Sequence, residues 1–420
     1  MAGRCSSGRR ACSPSAGRSD DGAAYPSSSV LSYRTAGESH GPTMLAFVDG
    51  LPAGLRVDTA FIDAELARRQ AGYGRGARQR IEHDQVRVLS GVRQGVTLGS
   101  PVVLEVQNAD SRLDDPEKTP PVHRPRPGHA DLAGSLKWST VDCRGTLERA
   151  SARETAARVA AGALSRLLLR EFGIETFGFV RGAIDASFEP DVRMESLADL
   201  RARRDSSEVA CPCAETGARI VGHIHRAKVE RDTVGGTVEV HVLGVPPGLG
   251  TCVQWDERLD SRLAAAVMGI QAFKAVEIGL GTGCAARFGS QVHDPIAFDA
   301  AEAATPSLGF VRATNNAGGL EGGMTNGMPV VVRGTMKPIS TLLRGMPSVD
   351  LGTHEAVEST YERSDISAIA AASVVAEHVV AFEVARAFLA KMGGDSMDEV
   401  RAHHAATVQL ARAVHGGAGR

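Results

Sequence analysis

The sequence predicts a fold of interleaved strands and helices, not a doubly wound one, with a core of small and branched aliphatic side chains. Three observations predict it. Strands and helices interleave along 420 residues, yet no short βαβ rhythm with a GxGxxG turn after the first strand appears, so a doubly wound nucleotide-binding domain is not supported. Long segments rich in alanine, arginine and leucine have helical composition. There are 47 glycines against 12 Phe, 4 Tyr and 2 Trp, so the chain makes many tight turns and builds its core from Ala, Val, Leu and Ile. At about 150 residues per domain, the length corresponds to two or three domains or to one large one.

Residues 1–29 hold Ser, Arg, Gly and Ala without an apolar stretch able to act as a secretory core. They read as a disordered leader. An organelle transit segment, against which Asp20 and Asp21 count, and an over-extended start are the alternatives. Order begins near Val30. Thr43–Asp49 reads as a strand closed by an Asp-Gly turn. Asp58 can cap a helix that runs to about Gln70 and stops at Gly72. Strands follow at 86–89 and 102–107. The polar, proline-rich 108–128 is a long loop of the kind that carries function. One helix is expected over 148–172, ended by Gly173, then strands at 174–180 and 237–245. The charged stretch between them, 185–235, suggests a surface insertion. A helix at 260–276, glycine-rich loops at 279–291 and 314–327, a strand at 328–336 and two helices at 365–391 and 395–414 complete the chain. No fixed-period repeat is found.

The formal net charge is −2, which lacks the basic excess of a bulk nucleic-acid binder but allows a local cationic pocket. Seven cysteines at irregular spacing argue against a disulfide framework and for a reducing compartment. Cys211-Pro-Cys213 is the only close pair, and no second Cys/His pair stands at zinc-finger spacing. No apolar run reaches 18 residues, because Glu377 and His378 interrupt the longest, 366–382, so no membrane span is expected.

Several segments can carry chemistry. In Gly37-Glu-Ser-His-Gly41, a histidine sits among small residues at a strand entry, where it could move protons near neutral pH; an ordinary turn histidine is the alternative. A hydrolase nucleophile elbow is rejected, since Pro42 and a strand follow where a helix is needed. Arg124-Pro-Arg-Pro-Gly-His-Ala-Asp131 presents two arginines and a histidine from a proline-stiffened loop, a suitable grip for an anion if not a solvated loop. Arg68, Arg69, Arg75, Arg78 and Arg80 lie among glycines with no acidic residue from 66 to 81. They suggest a phosphate or carboxylate pocket; nucleic acid competes, but Tyr73 is the only aromatic there for stacking. Arg149-Ala-Ser-Ala-Arg-Glu-Thr155 opens a helix, where N–H groups favour anions. Gly318-Gly319 and Gly322-Gly323, with Asn315, Asn316 and Asn326, fit backbone wrapped around a flat or phosphorylated ligand. No acidic or His/Cys cluster has metal spacing.

Each motif alone is weak, but their order is specific. From about Leu31 to Gly394 the chain resembles the chorismate synthase family. The match rests on Gly37-Glu-Ser-His-Gly-Pro-Thr-Met-Leu-Ala-Phe-Val-Asp-Gly-Leu-Pro52, on the stretch 148–164 beginning Glu148-Arg-Ala-Ser-Ala-Arg-Glu-Thr155, and on Arg363-Ser-Asp-Ile-Ser367 followed by Glu377. Gly72-Tyr-Gly-Arg-Gly76, Arg126-Pro-Gly-His-Ala-Asp131, Gly319-Leu-Glu-Gly-Gly-Met324 and Lys337-Pro-Ile-Ser-Thr341 support it.

The resemblance implies an α+β fold, with antiparallel sheets sandwiching a helical core. It implies a single catalytic domain over 30–394, with a C-terminal helix and tail at 395–420, assembled as a homotetramer in the cytoplasm. The activity implied is a 1,4-anti elimination of phosphate from 5-enolpyruvylshikimate 3-phosphate. It needs reduced FMN without net redox change, with reducing equivalents from NADPH or from an external flavin reductase. By the family pattern, Arg69, Arg75, Arg126, Arg153 and Arg363 hold the substrate anions, and the first four can also serve NADP. His40 protonates the departing phosphate, His129 stabilises or protonates the reduced flavin, and Asp365 acts at its N5, with Ser39 and Ser151 in support. Arg149, Ala150, Ser151, Gln271, Ala272, Gly322, Lys337, Pro338, Ile339, Ser340, Thr341 and Arg363 line the flavin site. Ile366 departs from the small residue or proline common after Arg-Ser-Asp, and 185–235 matches poorly. A non-catalytic anion-binding homologue and a flavin oxidoreductase are the competing readings.

Overall fold

The computed structural model describes residues 31–76, 83–359, 362 and 364–415. Arg78, Arg80 and Arg363 lie outside the described residues. The N-terminal third builds a four-stranded sheet from β1 (Ser32–Ala36), β2 (Thr43–Asp49), β3 (Val86–Ser90) and β4 (Val102–Gln107), in the order β1-β2-β4-β3. Every pairing is antiparallel, with Ser32 opposite Asp49 and Val48 opposite Val102. A second, five-stranded sheet takes β5 (Glu175–Ala183), β6 (Ala186–Ser187), β7 (Gly236–Leu243), β8 (Phe273–Ile278) and β9 (Val330–Met336), in the order β8-β9-β7-β5-β6, again antiparallel throughout.

Ten helices are described. They are α1 (Thr59–Gln70), α2 (Asp131–Trp138), α3 (Arg144–Ala150), α4 (Thr155–Arg170), α5 (Leu197–Asp205), α6 (Ala214–Val229), α7 (Leu259–Met268), the single turn α8 (Gly289–Val292), α9 (Ile369–Met392) and α10 (Met397–His415). Helix α9 is the axis of the molecule. It carries apolar residues on every side and is buried along most of its length, as suits a helix enclosed by protein. It packs on β5 and β7, while α4 packs on α9 and on β2 and β4, and α1 and α7 flank them. The helices thus form a middle layer between two antiparallel sheets, which is the expected α+β sandwich.

Two glycines set the spacing of these layers. A Cβ on Gly162 of α4 would lie 2.5 Å from the His378 carbonyl oxygen, and one on Gly178 of β5 would lie 2.7 Å from the Ser373 carbonyl. Only hydrogen at these points lets α9 press against both neighbours.

The middle layer also buries charge. Glu377, fully buried, accepts from Arg68 and Arg166 at 3.0 Å each, and Arg204 stands 3.5 Å away. Glu65 pairs with Arg166 at 2.8 Å and with Arg68. His378 Nδ1 donates to the Val374 carbonyl at 2.7 Å. Burial pushes the Glu377 carboxyl up, but Arg166, Arg68 and Arg204 outweigh it and hold the group well below the ordinary range.

The strands β2 and β4 and the capped helix α1 match expectation; the Asp58 carboxylate accepts from the Phe61 N–H at 3.1 Å. Four expectations are corrected. The helix expected over 148–172 is broken: Ser151 is extended, its hydroxyl accepts from Arg153 N–H, and a 3₁₀ turn at Ala152–Glu154 leads into α4. The helix expected over 260–276 ends at Met268, because Ala272 takes a left-handed φ of 69° and the chain turns into β8. Helix α9 begins at Ile369 rather than 365, because the Asp365 carboxylate caps the Gly76 N–H and the Ile366 N–H bonds the Gly74 carbonyl. The stretch 185–235 is not only a surface insertion: Leu197 and Leu200 of α5 pack on Phe177 and Phe179 of β5, and Ile220 and Ile224 of α6 join the main core. No helix of the described residues is long and apolar enough to cross a membrane.

Gly162→Ala is expected to destabilise by about 1–3 kcal/mol through overpacking, although the same change at an exposed helical site gains about 1 kcal/mol. Thermal unfolding checks it, and a raised Tm contradicts the close crossing. A second expectation concerns acid. Burial pushes His378 down to about 4, below its unfolded value of about 6.5. Between these values the unfolded chain binds a proton that the native chain refuses, so this contribution to stability is lost as pH falls from about 6.5 to about 4. Urea unfolding of His378→Asn should show a flatter pH dependence than the parent in that window; equal slopes contradict the assignment.

Candidate active site

The His40 turn is built by glycine. Gly37 has φ 109°, and a Cβ there would collide with the Thr43 carbonyl. The turn is then fastened to α3. Ser39 N–H donates to the Glu148 carbonyl at 3.1 Å. Both Glu148 carboxylate oxygens approach His40 Nδ1, at 2.9 and 3.0 Å, and Oε2 also accepts the His40 N–H at 2.9 Å. The Ser151 hydroxyl donates to Ser39 Oγ at 3.1 Å.

A cavity of about 540 Å³ opens in front of this turn. Arg153, placed by the break at Ser151, and Arg69, on the last turn of α1, grip one carboxylate: Asp84 accepts at 2.6 Å from Arg153 and at 2.5 Å from Arg69. Arg153 Nε also donates to Asn108 at 2.6 Å. Burial, with the charges of Arg153 and Arg75, pulls the Arg69 guanidinium down to about 10 in spite of Asp84. A bound anion would relieve the repulsion among Arg69, Arg153 and Arg75. Arg75 pairs with Asp365 at 2.7 Å, whose other oxygen takes the Gly76 N–H at 2.6 Å.

The proline-stiffened loop supplies a second unit. Asp131, wholly buried, accepts from Arg126 Nε at 2.8 Å and lies 2.5 Å from His129 Nδ1. Burial pushes its carboxyl up, but the hydrogen bonds from His129 and Arg126 prevail and hold it well below the usual range. Arg126 also donates to Thr341 at 3.0 Å, which ties this loop to the 337–341 segment. Lys337 has its basicity lowered by burial and by Lys274, and no carboxylate among the described residues pairs with it. Gly128 lies against it; a Cβ there would sit 3.6 Å from Ser340 Cβ and 3.8 Å from Lys337 Nζ. On the opposite wall, Gln271 Nε2 donates to Glu154 at 3.0 Å, while its buried Oε1 has no partner among the described residues.

The cavity brings together Ser39, His40, Arg69, Arg75, Arg126, His129, Ala150, Ser151, Arg153, Gln271, Ala272, Lys337, Ile339, Ser340, Thr341 and Asp365. Arg69, Arg75, Arg112, Arg126, Arg153 and Lys337 face Asp110, Glu362 and Asp365 as the charged lining. Small side chains (Ala152, Ala368, Ala371 and Ala372) leave room for a flat ring.

Other expected residues stand elsewhere. Arg149 does not line the cavity; it braces the chain before the His40 turn through the Gly37 and Thr35 carbonyls, at 2.9 and 3.0 Å. Pro338 is not in the lining, and Gly322 is exposed at the tip of the hairpin formed by Leu320–Glu321 and Met324–Thr325. Arg68 belongs to the buried network of the middle layer. Ile366, the departure beside Asp365, lines a separate surface pocket rather than this cavity. Cys211 is buried, which pushes its thiol up to about 11, and no metal-ligating group is found among the described residues.

Sequence reasoning missed Asp84, Asp110, Arg112, Glu148 and Glu362. Glu148 and Asp131 stood inside the quoted motifs, and an acid beside a histidine or arginine motif was the available signal.

A family model described as chorismate synthase matches residues 31–389. The chain belongs to the chorismate synthase family. It is similar to the chorismate synthase of Desulforudis audaxviator, 52% identical over 92% of this chain and 100% of that protein. It is also similar to the chorismate synthase of Geobacter sulfurreducens, 50% identical over 91% of this chain and 100% of that protein. A crystal structure of chorismate synthase superposes with a TM-score of 0.74 at 40% identity, covering 91% of this chain and 98% of that one.

Asp84→Asn removes the carboxylate that Arg69 and Arg153 share, leaving buried positive charge unbalanced. A loss of about 3–5 kcal/mol is expected, partly restored by inorganic phosphate. Thermal unfolding with and without phosphate checks it; an unchanged Tm contradicts the role of Asp84.

Proposed function

We propose that this chain converts 5-enolpyruvylshikimate 3-phosphate to chorismate and phosphate by 1,4-anti elimination, with reduced FMN bound in the cavity. The observation that carries this reading is the convergence of six cationic side chains with His40 and His129 on one cavity of a chorismate synthase family member. The substrate bears a phosphate and two carboxylates. It matches that excess of positive charge and the depressed basicity of Arg69.

The residues present fit the flavin. Gln271 offers a buried, unpaired acceptor to a ring N–H. The alanine-lined wall accommodates the ring plane, and Lys337 with the Ser340 and Thr341 hydroxyls suits a phosphate. When bound, reduced FMN supplies an electron-rich ring that assists the cleavage without net oxidation.

The chain's own residues do the rest. Arg69, Arg75 and Arg153 hold and orient the substrate anions, held in turn by Asp84 and Asp365. His40 Nε2 gives a proton to the phosphate oxygen as the C–O bond breaks and its electron pair leaves with phosphate. Asp365 is the carboxylate that manages the proton lost from C6, and the Asp131-braced His129 keeps a proton at the flavin side. NADPH or an external flavin reductase supplies the reducing equivalents. The assembly is a homotetramer in the cytoplasm; large apolar side chains left on the surface, among them Trp255, Phe288 and Phe298, support self-association.

An anaerobic assay with chemically reduced FMN, following chorismate and phosphate, tests the reading; oxidised FMN with NADPH in a parallel run tells whether the reductase activity is intrinsic. His40→Ala and His129→Ala should each slow turnover by about 10²–10⁴-fold with FMN still bound. Arg75→Ala should chiefly raise KM, since it contacts the anion in ground and transition states alike. Unchanged turnover in both histidine variants overturns the proton roles.

A further inference from the structure

His40 does not act from an ordinary turn. The grip of Glu148 on it is more elaborate than a structural hydrogen bond requires. Glu148 stands in the last turn of α3 with its side chain 1% exposed. Through one side chain and one carbonyl it takes the Ser39 N–H, the His40 N–H and His40 Nδ1. The carboxylate is kept ionised: burial pushes it up, but the hydrogen bonds from His40 and the charge of Arg144 outweigh this and hold it below the ordinary range. Arg144 itself sits 3.4 Å from Oε1 and pairs with Glu362 at 3.1 Å.

The other side of the ring is equally defined. His40 Nε2 lies 3.3 Å from Arg112 Nη2 and 3.8 Å from Asp110 Oδ2. Arg112 Nε is 3.1 Å from Asp110 Oδ1. The N–H groups of Arg112 and Leu113 both donate to the His40 carbonyl at 2.9 Å. A guanidinium only donates, and an ionised carboxylate only accepts. With Glu148 on Nδ1 and Arg112 on Nε2, the neutral ring therefore carries its proton on Nδ1 and presents the Nε2 lone pair.

We propose that Glu148 is the positioning residue of His40: it holds the proton on Nδ1 in every step and leaves Nε2 as the atom that exchanges a proton with the departing phosphate. The inference rests on His40 being the acid of the proposed reaction. In that step the Nε2–H bond breaks and an O–H bond forms on phosphate as the C–O pair leaves. The ring returns to its Nδ1–H form, still bonded to Glu148, with Nε2 accepting from Arg112, and solvent restores the proton. Asp110, paired with Arg112, is the carboxylate nearest Nε2. Glu148→Gln keeps the size but removes the charge.

The test is the pH dependence of kcat, with reduced FMN supplied, for the parent, Glu148→Gln, Glu148→Asp and His40→Asn. An opposite charge within hydrogen-bond reach shifts titration by about 1–3 units. In Glu148→Gln, the limb on which activity is lost as pH rises should move down by about 1–2 pH units, so turnover at a fixed alkaline pH falls about 10–100-fold with KM little changed. Glu148→Asp keeps the charge and should keep the limb near its original place. A role confined to folding predicts that both variants behave alike, with the limb unmoved, and that result overturns the proposal.

Histidine ¹⁵N NMR of the unaltered protein reads the same contact without any variant. His40 in its neutral form should be protonated at Nδ1; the Nε2-protonated tautomer overturns the proposal even if Glu148→Gln does not fold. Loss of turnover in His40→Asn with an unmoved limb in Glu148→Gln removes Glu148 alone. Turnover retained in His40→Asn removes His40 as the acid, and the proposal with it.

Discussion

A guanidinium taken out of water needs a carboxylate beside it, and this molecule is organised around that need. In the middle layer, Arg68, Arg166 and Arg204 converge on Glu377. At the cavity, Arg69 and Arg153 share Asp84, Arg126 rests on Asp131, Arg75 on Asp365 and Arg112 on Asp110. The two sets are joined along α1, where Arg68 faces the core network and Arg69 the cavity. A carboxylate that fixes an arginine spends little of its capacity to bind a further anion, because each guanidinium has five donors. The result is a rigid cationic wall whose entropy of ordering is met during folding rather than during binding.

The sandwich supplies the frame for this wall. The glycine contacts at 162 and 178 bring α9 against α4 and β5, and the start of α9 is delayed until Ile369 so that Asp365 remains free of the helix and in the cavity lining. The break at Ser151 has the same effect on the other side. It separates α3, which carries Glu148, from α4, and turns Arg153 toward Asp84 and Asn108. Irregular backbone at these two points is therefore what delivers side chains from rigid elements to one volume.

Much of this was legible in the sequence where short-range chemistry decides it. The Asp58 cap, the Thr43–Asp49 alternation and the His40, Arg126 and His129 motifs depend on neighbours in the chain. The motif order was specific enough to indicate the family. What was not legible depends on partners far away in the chain. Composition makes 148–172 look like one helix, because alanine and leucine favour helix on both sides of Ser151; the local Ser151 cap on Arg153 N–H, the Ser39–Ser151 contact and the Asp84 grip on Arg153 together hold the break. The charged run 185–235 hides Leu197, Leu200, Ile220 and Ile224, which are spaced to cover a sheet that the sequence does not display. The acids Asp84 and Glu148 are ordinary residues until the fold brings them against partners 69 and 108 positions away in the chain.

The most direct test of the account is a crystal structure of the protein with FMN and 5-enolpyruvylshikimate 3-phosphate. The substrate anions should lie within hydrogen-bond distance of Arg69, Arg75 or Arg153, the leaving phosphate oxygen within reach of His40 Nε2, and the flavin between Gln271 and the Lys337–Thr341 turn. The arginine–carboxylate pairs should be unmoved from their present geometry. Substrate bound away from these arginines, or a site that forms only after Asp84 and Asp131 release their partners, would contradict it.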